Sequence, residues 1–246
     1  MPSVSFRFTR SALWVVALGQ LLGCFDVEQV DVQAPGPKPP PRLIDDFNDA
    51  DRQPTDGSFE PWRCFGQNGN VQLVRCDAAP GIRETGGRAL TFDLFDFANG
   101  ERDYQAAELQ TRAAKAVDFS LYERFTFSAA LEPNPVASPG RTPIVVKLYC
   151  SALGNGFVDE TWVETEVLWV EPSVEPDLDW YTYGPFLTSF EQPPWQKEAW
   201  QKEKRPLLDE PSCLRQVDAV GFYVQPDLPD GKRSAGTVSV DEVYVQ

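Results

Sequence analysis

The chain of 246 residues carries 37 acidic and 22 basic side chains and no histidine, for a net charge of −15. That balance argues against a nucleic-acid face, which needs clustered Lys and Arg. The missing imidazole excludes Ser-His-Asp and Cys-His catalysis and His-ligated zinc. Hydrophobic residues at 42% supply a core and argue against wholesale disorder, while 22 prolines, 17 glycines and 12% aromatics favour strands and turns over long helices.

Arg7 and Arg10 precede an apolar run from Ala12 to Leu22. This is the layout of a secretory signal peptide over residues 1–23, too short for a membrane span of roughly 20 apolar residues. Leu21-Leu22-Gly23-Cys24 resembles the bacterial lipobox. The resemblance implies cleavage before Cys24 and acylation of its thiol, for example with palmitate, which makes a lipid bilayer a partner of the chain. Residues 24–41 hold Pro35, Pro37, Pro39, Pro40 and Pro41 and read as an extended tether. Without residues 1–23 the net charge is −17, which suits a body held off an anionic lipid surface. One domain is expected over residues 42–246, lipid-anchored at the bacterial cell envelope on its periplasmic or cell-surface side.

Strands are expected over Leu43–Phe47, Asn70–Arg75 and Arg88–Phe95, the last with Leu90, Phe92 and Leu94 alternating against polar neighbours. Further strands follow at Ala106–Thr111, Phe125–Leu131, the β-branched run Ile144–Cys150, Trp162–Val170, Tyr181–Phe190, Val217–Gln225 and Thr237–Val245. Gly, Pro, Asn and Asp clusters separate them, as in a β-sandwich. Gln196–Arg205 is the one helix-compatible stretch. No Rossmann or Walker glycine pattern is present.

Five cysteines are present. With Cys24 acylated, Cys64, Cys76, Cys150 and Cys213 remain, and an even number in an oxidising compartment suggests two disulfides. Three pairings exist. Cys64–Cys76 with Cys150–Cys213 is the expected one, because the first closes a short loop between neighbouring elements. Free buried thiols are the alternative. No CxxC spacing marks a zinc site.

Several segments, in order, resemble the galactose-binding-like jelly-roll modules. These are Leu43-Ile44-Asp45-Asp46-Phe47-Asn48-Asp49, Gly86-Gly87-Arg88-Ala89-Leu90, Val117-Asp118-Phe119-Ser120-Leu121-Tyr122, Trp180 to Phe190, Val220-Gly221-Phe222-Tyr223-Val224, and Gly236 to Val243. Such modules include the carbohydrate-binding modules of beta-glucanases of the family-eleven type and the domain of the complex I intermediate-associated proteins. The chain departs from them in a long segment between Phe190 and Val217 and in Glu242 where a second Asp is usual. The resemblance implies an all-β, galactose-binding-like jelly-roll β-sandwich, with Trp180 in its core. It further implies a ligand on the concave sheet or on the loops at one end. No cofactor is required, but the fold often holds a structural Ca²⁺ between its first and last strands, and Asp46, Asn48 and Asp241 match that place, with oxygen donors that suit the ion.

A sugar-binding face needs flat aromatic rings beside hydroxyl-binding polar groups. Trp162, Trp169, Tyr181 and Tyr183 are the candidate platforms, with Trp169 and Tyr183 on central strands, and Glu164, Glu166 and Arg112 are their polar partners. Trp195 and Trp200 lie in the loop-like segment. Glu164 and Glu166, two apart on one strand, have a spacing that permits paired-carboxylate glycoside hydrolysis without singling it out. A non-catalytic, monomeric carbohydrate-binding module is the leading reading, with a polysaccharide as partner. The other is an envelope lipoprotein that uses the same sandwich to bind an envelope protein. The acidic net charge disfavours a polyanionic substrate.

Overall fold

The structure, a computed structural model, describes residues 38–48, 53–67, 71–79, 81, 87–95, 106–133, 141–151, 161–173, 178–224 and 233–246. Residues 1–37, with the leader and Cys24, lie outside the described residues, as does Asp49. In chain order the elements are β1 (Arg42–Asp45), β2 (Arg63–Gln67), β3 (Val71–Ala79), β4 (Gly87–Phe95), β5 (Ala106–Val117), β6 (Phe125–Pro133), β7 (Thr142–Tyr149), β8 (Trp162–Glu164), β9 (Leu168–Val170) and β10 (Tyr181–Tyr183). Helices α1 (Pro194–Lys202) and α2 (Glu210–Leu214) follow, then β11 (Val217–Val224) and β12 (Arg233–Val245). All fall in one compact unit, Pro37–Gln246.

The strands form two antiparallel sheets, an all-β jelly-roll sandwich. Sheet A runs β10-β6-β12-β4-β3, with β1 on β12; sheet B runs β2-β5-β11-β7-β8, with β9 on β7. Period-two alternation drives the packing. Leu90 and Phe92 of β4, Phe127, Ala129 and Leu131 of β6, and Val238 and Val240 of β12 turn inward from sheet A. Leu109, Val146, Leu148, Val163, Val220 and Phe222 meet them from sheet B. Phe222 is the hub, with ring centroids 5.0 Å from Phe127, 5.9 Å from Trp62 and 6.1 Å from Phe125. Each such Val, Leu or Phe side chain contributes about 1.5–3 kcal/mol by leaving water.

Two disulfides close the frame. Cys64–Cys76 joins β2 to β3, and so ties one edge of sheet B to one edge of sheet A; Cys150–Cys213 joins the end of β7 to α2. At the opposite edge, the Tyr183 hydroxyl of β10 donates to the Trp169 carbonyl of β9 at 2.8 Å.

Several expectations are corrected. The strand read over Tyr181–Phe190 stops at Tyr183, because Gly184 and Pro185 follow and Pro185 has no N–H for a ladder; Leu187–Ser189 is a 3-10 turn. The strand read over Trp162–Val170 is two three-residue pieces. Thr165 interrupts it by accepting the Val146 N–H on its hydroxyl at 3.1 Å. These short pieces pair on one side only, so Trp169 and Tyr183 stand on peripheral rather than central strands. Strand β2 and helix α2 were not expected. Asp209 caps α2 by accepting the Ser212 N–H at 3.2 Å. Trp180 is half-buried and outside the core cluster.

Candidate binding face on sheet B

The strand registers place the outward side chains of sheet B in rows. Arg63, Gln110, Gly221, Lys147 and Glu164 form the middle row across five strands. Phe65, Glu108, Tyr223 and Val145 form the row on one side. Arg112, Ala219, Tyr149 and Trp162 form the row on the other. Trp169, opposite Pro143 on β7, extends the same face.

The outward face of sheet A is different. Arg75, Ala89, Thr91, Asp93, Ser128, Ala130, Thr182, Thr237 and Ser239 cover it, and Tyr244 is the only aromatic among its described side chains. Among the described side chains, outward-facing rings are thus concentrated on sheet B.

The centre of the sheet B face is a buried polar cluster. Glu108 is fully buried, and its carboxylate reaches over Gly221, where no side chain blocks it. Its Oε1 accepts the Tyr149 hydroxyl at 2.6 Å and Gln110 Nε2 at 3.4 Å; Lys147 Nζ stands 3.9 Å from Oε2. The Lys147 ammonium also lies over the Tyr223 and Trp162 rings, 3.5 and 4.5 Å from their centroids, where ring quadrupoles favour a cation. Burial pushes the Glu108 carboxyl above its ordinary range against the pull of Lys147, Tyr149 and Gln110. Burial likewise pushes Lys147 down, opposed by Glu108 and Glu164. Burial and Glu108 together hold the Tyr149 phenol well above its usual value.

Gly221 is therefore required by contact. A Cβ there overlaps Glu108 Oε1 and lies 3.1 Å from Glu108 Cδ and 3.2 Å from Tyr149 Cε2. Gly221→Ala should destabilise the fold by about 2 kcal/mol, the ordinary cost of overpacking, readable from a shifted denaturant midpoint.

Two recesses flank this cluster. One, of about 370 Å³, is lined by Glu60, Pro61, Arg63, Phe65, Gln110 and Arg112 at the β2–β5 edge. The other, of about 490 Å³, lies at the β7–β8 side and includes Val145, Glu164, Glu166, Val167, Glu191 and Pro193. Glu164 accepts the Trp162 indole N–H at 2.8 Å, and burial pushes its carboxyl up against the pull of Trp162 and Lys147. Trp195, at the second position of α1 and 53% exposed, packs on Trp162 with centroids 5.4 Å apart and planes at 58°. Trp200 is buried on the same helix under the Arg205 guanidinium.

Of the residues expected to meet ligand, Arg112, Trp162, Glu164 and Trp169 share this face, and Glu166 lines a recess on it just past the end of β8. Trp169 is 41% exposed beneath the Arg141 guanidinium. Tyr181 and Tyr183 stand on the edge of sheet A; the Tyr183 ring stacks on Phe127 at 5.1 Å, and burial raises its phenol to about 12. Phe65 and Trp195 are further exposed rings, as is Phe186 under the Arg124 guanidinium. Phe65 escaped the sequence reading because β2 did, and only its Arg63-Cys64-Phe65 alternation could have marked it.

At the first and last strands, Asp45 rather than Asp46 turns inward. It accepts Trp62 Nε1 at 2.6 Å and the Phe47 N–H at 2.8 Å, holding Phe47 at a left-handed φ of 50°. Asp46 accepts the Thr55 hydroxyl at 3.0 Å; burial acts to raise its carboxyl, but hydrogen bonds from Asn48 and Thr55 prevail and lower it. Asp241 accepts the Glu242 N–H at 2.7 Å. Among the described residues no group of three or more Cys, Asp or Glu side chains is gathered to hold a metal ion.

No family model and no curated protein matches the chain. Among solved structures it is similar to a carbohydrate-binding module specific for non-crystalline cellulose, CBM28, at 15% identity and a TM-score of 0.48, over 85% of this chain and 96% of that one. It is similar to an exo-beta-agarase at 11% identity and a TM-score of 0.47, over 83% of this chain and 24% of that one. The mannan-recognising module TmCBM27 is 13% identical with a TM-score of 0.37, over 76% of this chain and 95% of that one. The β-sandwich itself is read from the strand pairing of the described residues, and a fold does not fix a function.

Proposed function

We propose that the chain is a non-catalytic carbohydrate-binding module, held at the cell envelope by acylated Cys24, that meets a polysaccharide on the outward face of sheet B. The observation that carries this reading is the concentration of outward rings on that sheet. Phe65 and Trp169 remain exposed there, with Trp195 of α1 packed on Trp162 at the same face, beside Arg112, Glu164 and Glu166. Rings supply apolar platforms for pyranose faces, and the charged groups accept or donate to hydroxyls. No cofactor is needed for such contact. The proposed Ca²⁺ at Asp46, Asn48 and Asp241 enters as a variable, by running each assay with calcium and with chelator.

The test is retention of the full-length protein, in neutral detergent, on insoluble polysaccharides and on a glycan array. Trp195→Ala should weaken retention about tenfold, since it removes one stacking platform. Thr182→Ala, exposed on the outward face of sheet A, should leave retention unchanged. Cys24→Ala should release the protein from the membrane fraction without altering sugar retention.

A second reading has its own support. The Trp195 and Trp162 planes stand at 58°, and Lys147 with Glu108 fills the centre of the face, an arrangement also suited to a protein contact. A folded protein that binds no glycan across the panel, and crosslinks through Trp195 to an envelope protein, would establish that alternative.

A further inference from the structure

The recess at the β2–β5 edge carries a charge pattern the composition opposes. The chain has 37 acidic and 22 basic side chains, yet two guanidinium groups, Arg63 and Arg112, line one recess of about 370 Å³. Arg63 stands opposite Gln110 in the register, and Arg112 lies two residues further along the same face. Diagonal neighbours across an antiparallel pair are about 7–8 Å apart, so both forks can address one group between them. Phe65, two residues along β2 from Arg63 and 37% exposed, gives the same recess an apolar wall.

The frame is preformed. The Glu60 N–H donates to the Arg112 carbonyl at 2.6 Å and the Ala114 N–H to the Ser58 carbonyl at 2.9 Å, which pins residues 58–60 against β5. Gln110, buried at 6% exposure, accepts Arg112 Nε at 3.3 Å and donates to Glu108, so the Arg112 side chain is oriented by a chain of hydrogen bonds rooted in the buried cluster. Cys64, between Arg63 and Phe65, is bonded to Cys76. Acidic groups compete: the buried Glu108 acts on Arg112, and Glu60 lies 3.6 Å from Arg63, with side chains 48% and 73% exposed. An ion pair that open to water is weak and is readily exchanged for a better-placed acceptor.

We infer that this recess is a subsite for an anionic sugar, in which Arg63 and Arg112 take the charged group and Phe65 backs the ring. The inference rests on the carbohydrate-binding reading and narrows its substrate class. Guanidinium forks match the planar carboxylate of a uronate and also accept a sulfate ester. The recess lies four strand spacings, about 19 Å, from Glu164, so one chain crossing the face would touch both ends. The net negative charge of the body does not forbid this, because repulsion beyond about 8 Å is screened at physiological salt.

The test uses the full-length protein in neutral detergent at about 0.15 M salt, with polygalacturonate, dextran sulfate and neutral polysaccharides as probes. Polygalacturonate should retain the protein. Arg63→Gln should weaken that retention about tenfold, weaken retention on neutral polysaccharides by far less, and leave the melting temperature unchanged. Arg63→Lys should recover only part of the loss, since an ammonium restores charge but not the fork. Phe65→Ala should weaken it as well. A matching loss on dextran sulfate assigns a general anion subsite; a loss on polygalacturonate alone assigns the carboxylate. Equal retention of Arg63→Gln and wild type on the anionic probes overturns the subsite. Retention on neutral polymers alone overturns the subsite and leaves the carbohydrate reading standing. Retention on none overturns both.

Discussion

Lys147→Ala should destabilise the protein by about 3–5 kcal/mol, the usual cost of leaving a buried charge without its partner. Glu108 is fully buried, and its Oε2 has Lys147 Nζ 3.9 Å away. Removing the ammonium also removes a cation lying over two rings. For a domain of this size the loss corresponds to a melting temperature lower by about 10 °C or more. The deficit should depend on pH with a definite sign. The folded Glu108 carboxyl lies above its ordinary 4.5, because burial outweighs its partners, and loss of Lys147 pushes it further up. A group raised in this way is harmless to stability below its unfolded value and costs stability as pH rises through its folded value. The variant should therefore be closest to wild type near pH 4.5 and furthest from it at pH 8. Adding Glu108→Gln to Lys147→Met should recover most of the loss, because no buried charge is then left unpaired. A small, pH-independent loss would show that the pair is not what holds this face.

Replacing Cys150 and Cys213 together by Ser should cost about 4 kcal/mol, and replacing Cys64 and Cys76 about 3 kcal/mol. The order follows from loop closure in the unfolded chain, where separations of 63 and 12 residues are constrained. The two losses should also differ in place. Cys213 and Leu214 are buried under the end of β7, and the Phe119 N–H donates to the Leu214 carbonyl at 2.7 Å. Opening Cys150–Cys213 should speed amide exchange in α2 and at Phe119, whereas opening Cys64–Cys76 should speed it in β2. Denaturant midpoints and exchange rates in oxidising buffer check both. The reverse order of midpoints would contradict the loop-closure account.

Most of the sandwich was legible: Leu90, Phe92 and Leu94 alternate with polar residues in Arg88–Phe95, as a half-buried strand requires, and Ile144–Cys150 is a β-branched run. What escaped was set by partners distant in sequence. Strand β2 has only five residues and pairs with β5 about forty positions away, so only the short Arg63-Cys64-Phe65 alternation marks it locally. The break at Gly184-Pro185 was visible as a dipeptide but was overridden by the aromatic run around it. At the binding face, Trp162, Glu164 and Arg112 were singled out, but Glu108, Lys147, Tyr149 and Gly221 were not. A Glu and a Lys in two separate strands have no sequence signature until the register sets them on one face. Trp195 was expected in a loop-like segment; Pro193 and Pro194 instead start a helix there, since proline suits the first helical turn.

The central claim, that polysaccharide contacts the outward face of sheet B, is tested most directly by oxidative side-chain footprinting. The full-length protein would be labelled free and then saturated with the polysaccharide that retains it best. Protection should appear at Trp195, Trp169 and Phe65, with Tyr244 on the outward face of sheet A unchanged. Protection confined to Tyr244, with Trp195 labelled equally in both states, would contradict the account.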